Sequence, residues 1–315
     1  MSRTLSIVVP CYNEQEVLLI THKRIEEIGQ EAIDQKLCDS FEVVYVDDGS
    51  RDNTYAILFG LSKQKDFVKV VRLATNFGHQ SAIIAGYTYA TGDWICSIDA
   101  DLQDPPELIL DMLSLAADGA DIVFAVRNDR TDDSFFKRAS AEAFYRLMNR
   151  LGAVTIPHHA DFRLFTRQIR DVVLQFQERN LFLRGTFAHL GYTTAEIAYK
   201  RPKRAAGETK YPFAKMLEFA INGVTSFSIV PLRLCTLFGF ISAAGSLMLL
   251  AWSLYTKFFI GSVSGWTSIV APLYFIGGVQ MMFLGILGEY VGKIYLEVKN
   301  RPRFLVRNFL NISSE

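Results

Sequence analysis

The sequence lacks a net charge: 33 Lys and Arg balance 33 Asp and Glu over 315 residues. A whole-chain basic field that would draw nucleic acid is therefore missing, which argues against a DNA- or RNA-binding protein. Also missing are G-x-G-x-x-G and G-x-x-x-x-G-K-[ST], which removes the dinucleotide-binding and P-loop readings. The few cysteines, Cys11, Cys38, Cys96 and Cys235, have no C-x-x-C spacing. That argues against a disulfide framework or a zinc cluster and fits a reducing compartment. No internal repeat and no low-complexity linker is present, and the apolar run before Tyr12 is too short for a signal h-region, so the first unit is expected to stay in the cytoplasm. Charged residues make up only 21% against 50% hydrophobic, and mean hydropathy is +0.17. Such a chain is not disordered, and part of it is expected in lipid.

The charge that is present is unevenly placed. From Pro231 onward seven residues are basic and three acidic, leaving 26 basic and 30 acidic in residues 1–230. Leu234 to Thr256 runs 23 residues without a charge and Phe258 to Gly288 another 31. Each exceeds the ~20 residues that cross a bilayer core. Gly261, Ser262, Ser264, Gly265 and Pro272 interrupt the second run early, so that span is predicted near Ile269 to Gly288, after a short turn. Arg233 on one flank of this hairpin and Lys293, Lys299, Arg301, Arg303 and Arg307 on the other share one side, which the positive-inside bias makes cytoplasmic. A buried hairpin of a soluble core is the competing reading.

Upstream, short Val/Ile-rich runs alternate with amphipathic ones. Leu5–Val9, Phe41–Val46, Val68–Leu73, Trp94–Ile98 and Ile122–Val126 read as strands with helices between them. Continuous apolar strands separated by helices predict an α/β fold whose parallel sheet is covered on both faces. Glu107–Ala117 reads as one such helix, opened by Pro105 and Pro106, with Leu108, Met112 and Leu115 at helical spacing and Gly119 as its stop. Beyond Arg127, Phe135–Leu151 reads as a helix, and Phe162–Phe165 and Thr194–Ala198 as strands. Pro212–Ile229 reads as an amphipathic helix lying either in the membrane interface or on the sheet.

In an open parallel sheet, ligands sit beyond the carboxyl ends of the strands. Polar residues recur there: Pro10–Glu14, Asp47–Asp52, Asn76–Gln80, Asp99–Gln103 and Arg127 follow the first five strands. In Ser97-Ile98-Asp99-Ala100-Asp101-Leu102-Gln103-Asp104-Pro105-Pro106 an apolar strand runs into Asp-x-Asp. Two carboxylates at such an edge suit a hard divalent cation, Mg²⁺ or Mn²⁺, whose shell substrate phosphates complete. Helix capping is the alternative use of the same acids. In Val46-Asp47-Asp48-Gly49-Ser50, acids repel phosphate but accept hydrogen bonds from a base or ribose, so Asp48 is predicted as a nucleoside contact. A plain strand-turn-helix junction would use the same residues. His158 and His159 are adjacent and read as loop residues.

These blocks form a set. VVPCYNE, VDDGSRDNT, NFGHQSA, DADLQDPPE, HADFRLFTR and GETKYPF, followed by two spans and GEYVGKIYLEVKNRPRF, closely resemble the membrane-anchored family 2 glycosyltransferases that load sugars onto polyprenyl phosphate. The nearest are the bactoprenol glucosyltransferases, with dolichol-phosphate mannosyltransferases more distant. The resemblance implies a GT-A type domain with a mostly parallel sheet over residues 1–211, a juxtamembrane amphipathic helix at 212–230, a two-helix transmembrane hairpin at 231–290 and a basic cytoplasmic tail at 291–315. It implies a nucleotide-sugar donor, UDP-glucose first, an undecaprenyl phosphate acceptor, a divalent metal, inversion, a homo-oligomer (a tetramer), and an inner-membrane location with both termini cytoplasmic. By motif, Pro10, Tyr12, Glu14, Val46 and Asp48 would hold the nucleoside. Asp99, Ala100, Asp101 and Gln103 would hold the diphosphate, with Asp99, Asp101 and Gln103 on the metal, and Arg127 would approach the sugar phosphates.

Transfer brings two anions to a carbon that gains positive charge, so both must be neutralised. For the incoming phosphate the sequence offers Lys137, Arg138, Arg201, Lys203, Arg204 and Lys210, with Arg204 and Lys210 in the family's spacing. Anionic lipid would be met by the same residues. Asp161 matches the family's catalytic base, beside Asp101 and Arg127 as catalytic candidates. Yet a phosphate monoester already carries about −1.5 to −2 charge, so Asp161 is expected either to act as that base, to orient a sugar hydroxyl or to stabilise positive charge at the reacting carbon. GlcNAc, mannose or 4-amino-arabinose as cargo, and a non-catalytic nucleotide-sugar-binding membrane scaffold, are the other readings.

Overall fold

A computed structural model of the chain describes residues 3–127, 159–176, 178, 183–199, 230–259 and 265–312. In it the Val/Ile runs become strands because each is buried on both faces, which favours extended β-branched backbone. The first unit, built from the described residues up to 199 and from 301 onward, holds strands β1 (Thr4–Cys11), β2 (Ser40–Asp47), β3 (Val68–Leu73), β4 (Trp94–Ser97), β5 (Ile122–Arg127), β6 (His159–Thr166), β7 (Thr194–Tyr199) and β8 (Val306–Leu310). They form one sheet in the order β7-β5-β6-β4-β1-β2-β3-β8. β1 pairs in parallel with β2 and β4, β2 with β3, and β5 with β7. β6 runs antiparallel between β4 and β5, and β8 antiparallel on the outer edge of β3.

Helices α1 (Leu18–Asp34), α2 (Thr54–Gln64) and α4 (Leu108–Ala117) bury their apolar stripes on one face, against Leu5, Ile7, Val9, Val43 and Tyr45. Helices α3 (His79–Tyr89), α5 (Arg167–Gln175) and α6 (Leu183–His189) cover the other, against Val8, Val44, Val46 and Val71. The alternation of odd and even positions along β1 is the period of two expected of a strand. α3 approaches β1 so closely that a Cβ on Gly86 would lie 2.2 Å from Val8 Cγ1. In α4 the buried stripe is Ile109, Met112, Leu113 and Ala116, while Leu108 and Leu115 are half-buried. Leu108 and Leu115, which share the helical spacing of Met112, pack against the same buried cluster from the flanks of that stripe. The helix ends where Gly119 takes φ +107, with the Ala120 amide returning to the Leu115 carbonyl.

The second unit contains α7 (Val230–Phe259) and α8 (Trp266–Val298), two helices of 30 and 33 residues that touch each other. At 1.5 Å per residue α8 is about 50 Å long, more than the ~30 Å of a hydrocarbon core. Among the described residues one segment, Phe275–Val298 with mean hydropathy 1.3, is long and apolar enough to cross a membrane. It starts later than the expected Ile269 and continues past Gly288. The expected helices at Phe135–Leu151 and Pro212–Ile229 lie outside the described residues.

Candidate functional site

Because β1, β2, β3, β4 and β5 all point the same way, their carboxyl ends share one edge, and the first four polar segments meet there; the fifth, Arg127, is set apart from them by β6. β6 runs the other way, so its first residues lie at the edge where β4 ends. Ser97 pairs with Arg163 in that register, and continuing it two residues brings Asp99 alongside Asp161.

The segments are laced to each other mostly by their own polar groups. The Asn13 amide donates to Ser50 Oγ, Glu14 to Thr54 Oγ1 and Gln15 to Asp52 Oδ2, while Asn13 Oδ1 accepts from the Arg51 amide. Gly49 sits at φ +68, where a Cβ would come within 2.5 Å of the Thr75 carbonyl carbon, so only glycine lets the second loop touch the third. Asp48 fixes that third loop: its two oxygens accept from the amides of Phe77 (2.7 Å) and Gly78 (2.9 Å). Burial raises the Asp48 carboxyl above its ordinary value, and the two amides partly offset this.

A cavity of about 380 Å³ opens at this edge. Of the residues expected from sequence, Pro10, Tyr12, Glu14, Asp48, Asp99, Ala100 and Asp101 line it, joined by Cys11, Asn76, Gly78, His79 and Ala82. Val46 does not: its side chain is fully buried in the core beneath α3. Arg127 ends β5, its backbone paired with Tyr199. Lys137, Arg138, His158, Arg201, Lys203, Arg204 and Lys210 lie outside the described residues.

The Asp-x-Asp turn is shaped by an aspartate bonding its own backbone, Asp101 Oδ1 accepting from the Gln103 amide at 3.0 Å, with Leu102 at φ +54 between them. Neither Asp99 nor Asp101 caps α4; its N-cap is Glu107, and Asp104 accepts instead from the Tyr199 hydroxyl at 2.5 Å, tying the turn to β7. Gln103 does not line the cavity, and its Oε1 is buried and accepts no hydrogen bond among the described residues. Acidic charge accumulates at the cavity. Glu14 is pushed up to about 7, by burial first and then by Asp101, Asp99 and Asp52. Asp99 is raised by burial, with His79 opposing and Asp161, Asp104 and Asp101 adding to the rise. Among the described residues no group of three His, Cys, Asp or Glu side chains forms a ready metal site. Two carboxylates and an orphaned amide oxygen nevertheless fit a hard cation that takes the rest of its shell from phosphate and water.

Asp161 is placed behind this crevice. Its side chain is only 8% exposed; Oδ1 meets Arg163 Nη2 at 2.6 Å, and Oδ2 lies 3.4 Å from His79 Nε2. Its carbonyl accepts from Ser97 Oγ, which in turn accepts from the Tyr87 hydroxyl. Arg163 is fully buried, its guanidinium 4.6 Å from the Phe187 ring centre. The same His79 Nε2 lies 3.5 Å from Asp99 Oδ1. In the sequence Asn76–Gln80 stands out only by its place at a strand end, with nothing to single out His79, and Asp161 is legible there without its partner Arg163.

The family model described as Glycosyl transferase family 2 matches residues 6–174. The uncharacterized glycosyltransferase YkoT of Bacillus subtilis (strain 168) is 43% identical over 305 residues, 96% of this chain and 90% of that protein. The SfII prophage-derived bactoprenol glucosyl transferase of Shigella flexneri is 38% identical over 305 residues, 96% of this chain and 97% of that protein. Among solved structures, the mannosyltransferase PcManGT from Pyrobaculum calidifontis in complex with GDP-Man and Mn²⁺ matches with a TM-score of 0.46 at 17% identity, covering 90% of this chain and 88% of that one.

Proposed function

The chain belongs to glycosyl transferase family 2, and from that membership we propose that it moves one hexose from a nucleotide diphosphate sugar to a polyprenyl phosphate at a membrane surface. UDP-glucose and undecaprenyl phosphate are the leading donor and acceptor, in keeping with the relatives named bactoprenol glucosyl transferase. The observation that carries the proposal is the acidic crevice at the strand ends, where Asp99 and Asp101 line a 380 Å³ cavity and Gln103, two residues further along the same turn, keeps a buried oxygen without a partner among the described residues.

A divalent cation held by Asp99, Asp101 and Gln103 would supply positive charge to the leaving diphosphate. The chain's own residues do the rest. Pro10, Tyr12 and Glu14 form one wall for the nucleoside; Asp48 holds the opposite loop in place through two backbone amides, so its part is to shape the pocket as much as to contact the base. An oxygen of the lipid phosphate attacks the anomeric carbon on the face opposite the diphosphate, the carbon–oxygen bond to the diphosphate breaks, and UDP leaves with that electron pair. The sugar is inverted. No proton need be removed from an acceptor that is already anionic. We assign the basic residues Lys137, Arg138, Arg201, Arg204 and Lys210 to the acceptor phosphate, and α7 with α8 to a membrane hairpin.

Purified full-length protein incubated with Mg²⁺ or Mn²⁺, short-chain polyprenyl phosphate and a panel of radiolabelled nucleotide sugars tests this. Labelled lipid from UDP-glucose is the expected product. Labelled lipid from a different donor alone would replace the sugar, and none from any donor would leave a nucleotide-sugar-binding scaffold.

A further inference from the structure

Asp161 does not line the cavity; His79 does, and it stands within ion-pair reach of Asp161. The imidazole is 44% exposed, while the carboxylate behind it is 8% exposed and locked by Arg163. Resting on the donor reading above, we propose that His79 is the residue that reads the transferred sugar, and that Asp161 is a positioning residue acting through it, with buried Arg163 as the fixed counter-ion.

The chemistry of the group favours a sugar over the other parts of the donor. The imidazole is flanked by two carboxylates, Asp99 and Asp161; Asp99 is the one assigned to the cation and the diphosphate, which leaves Asp161 and the imidazole N–H to face the neutral part of the donor. A neutral polyol is accepted there, because its hydroxyls donate to carboxylate oxygens and accept from an imidazole N–H. Discrimination of this kind is strong, since an analogue that lacks or misplaces the hydroxyl leaves polar groups in the crevice unpaired.

The geometry is set in advance from two sides. On the helix side, Asp48 holds the amides of Phe77 and Gly78, and Gly78 at φ +92 turns the chain so that His79 is the first residue of α3. On the strand side, Asp161 is fixed at its carboxylate by Arg163 and at its carbonyl by Ser97. A reading group held by packed elements on both sides loses little freedom when the sugar arrives.

The test compares donors with the bare nucleotide. For full-length wild type and the variants His79→Ala, His79→Gln and Asp161→Asn, kcat/KM for UDP-glucose, UDP-galactose and UDP-GlcNAc is measured beside the inhibition constant of UDP. The expected result for His79→Ala is a loss of at least tenfold in kcat/KM for the preferred donor, the size of one good hydrogen bond. Preference among the three donors narrows and UDP inhibition stays within twofold. His79→Gln, which keeps an N–H donor, recovers part of the loss. Asp161→Asn reproduces the His79→Ala pattern, and the double variant is no worse than the poorer single. The inference is overturned if UDP inhibition weakens in parallel with turnover, or if donor preference is unchanged in both His79 variants. The two His79 variants suffice should Asp161→Asn fail to fold. If wild type transfers no sugar from any nucleotide donor, the donor reading itself falls and takes this inference with it.

Discussion

Removing either member of the Arg163–Asp161 pair should destabilise the first unit far more than removing both. The two charges meet at 2.6 Å with side chains 1% and 8% exposed, so neither regains water when its partner goes. With charge centres about 4 Å apart and an effective dielectric near 20, the pair interacts by roughly 4 kcal/mol. Measured losses on breaking one side of a buried pair run to about 3–5 kcal/mol. Arg163 Nε already lacks a partner and Nη1 reaches only the Leu183 carbonyl at 3.4 Å, which leaves the guanidinium dependent on Asp161. For a unit of this size, about 3–5 kcal/mol corresponds to a fall in melting temperature of roughly 6–20 °C. Asp161→Asn and Arg163→Met should each show it in thermal unfolding of the full-length protein, followed by tryptophan fluorescence. The double variant removes both charges and gives Phe187 a methionine to pack against. It should therefore melt above the poorer single. A fall of under 2 °C in both singles, or strictly additive losses in the double, would refute the claim that the two charges are coupled in a buried pair.

Three further outcomes follow from the geometry. Gly86→Ala places a methyl 2.2 Å from Val8 Cγ1 and 3.2 Å from Val46 Cγ2; overpacking of this kind costs about 1–3 kcal/mol, and adding Val8→Ala should recover most of it in the same melting assay. Glu14, held at about 7 against an ordinary 4.5, is protonated more readily in the native state than in the unfolded one. Its stabilising contribution is present below pH 4.5 and is lost as the pH rises through 7. The full difference would be about 3 kcal/mol, cut to roughly 1–2 kcal/mol by the solvent that reaches the group. Glu14→Gln in chelator should therefore melt above wild type at pH 8 and level with it at pH 5, and an offset independent of pH would count against the acidic cluster. Asn311 Nδ2 donates to the Ser62 carbonyl at 2.6 Å and the Val68 carbonyl at 3.0 Å; Asn311→Ala should speed amide exchange in Val306–Leu310 about tenfold or more while leaving β1 and β2 protected.

The strands of the sheet interior were legible because burial on both faces writes itself as an unbroken apolar run, as in Leu5–Val9 and Phe41–Val46. Strand direction was not, since nothing local in His159–Thr166 says that it runs against its neighbours. That direction is what brings Asp161 beside Asp99. The last strand was hidden for another reason. Val306–Leu310 follows a run of arginines and reads as a basic tail, and only its partner, the outer edge of β3, gives it a structure; the Ala74 amide meets the Leu305 carbonyl there, two residues from Asn76 on the cavity wall. The strand-end polar residues were legible as a cluster but not as individuals. Asn13, Ser50, Thr54 and Asp52 turn out to bond one another, and Asp48 bonds the third loop, whereas His79, given no role from sequence, reaches both acids.

The charge balance of the crevice bears on what Asp161 can do. A general base needs a lone pair aimed at the proton it takes, and a phosphate acceptor offers little proton to take. Asp161 Oδ1 is committed to Arg163 and Oδ2 faces His79 rather than the cavity. Its negative charge is compensated from behind by a guanidinium that cannot be deprotonated. What it retains is direction: it is a fixed dipole beneath an imidazole at the wall of the donor pocket. On this reasoning a carboxylate whose replacement abolishes transfer need never touch the acceptor, and the discriminating quantity is not how much activity Asp161→Asn loses but whether the loss follows the identity of the sugar.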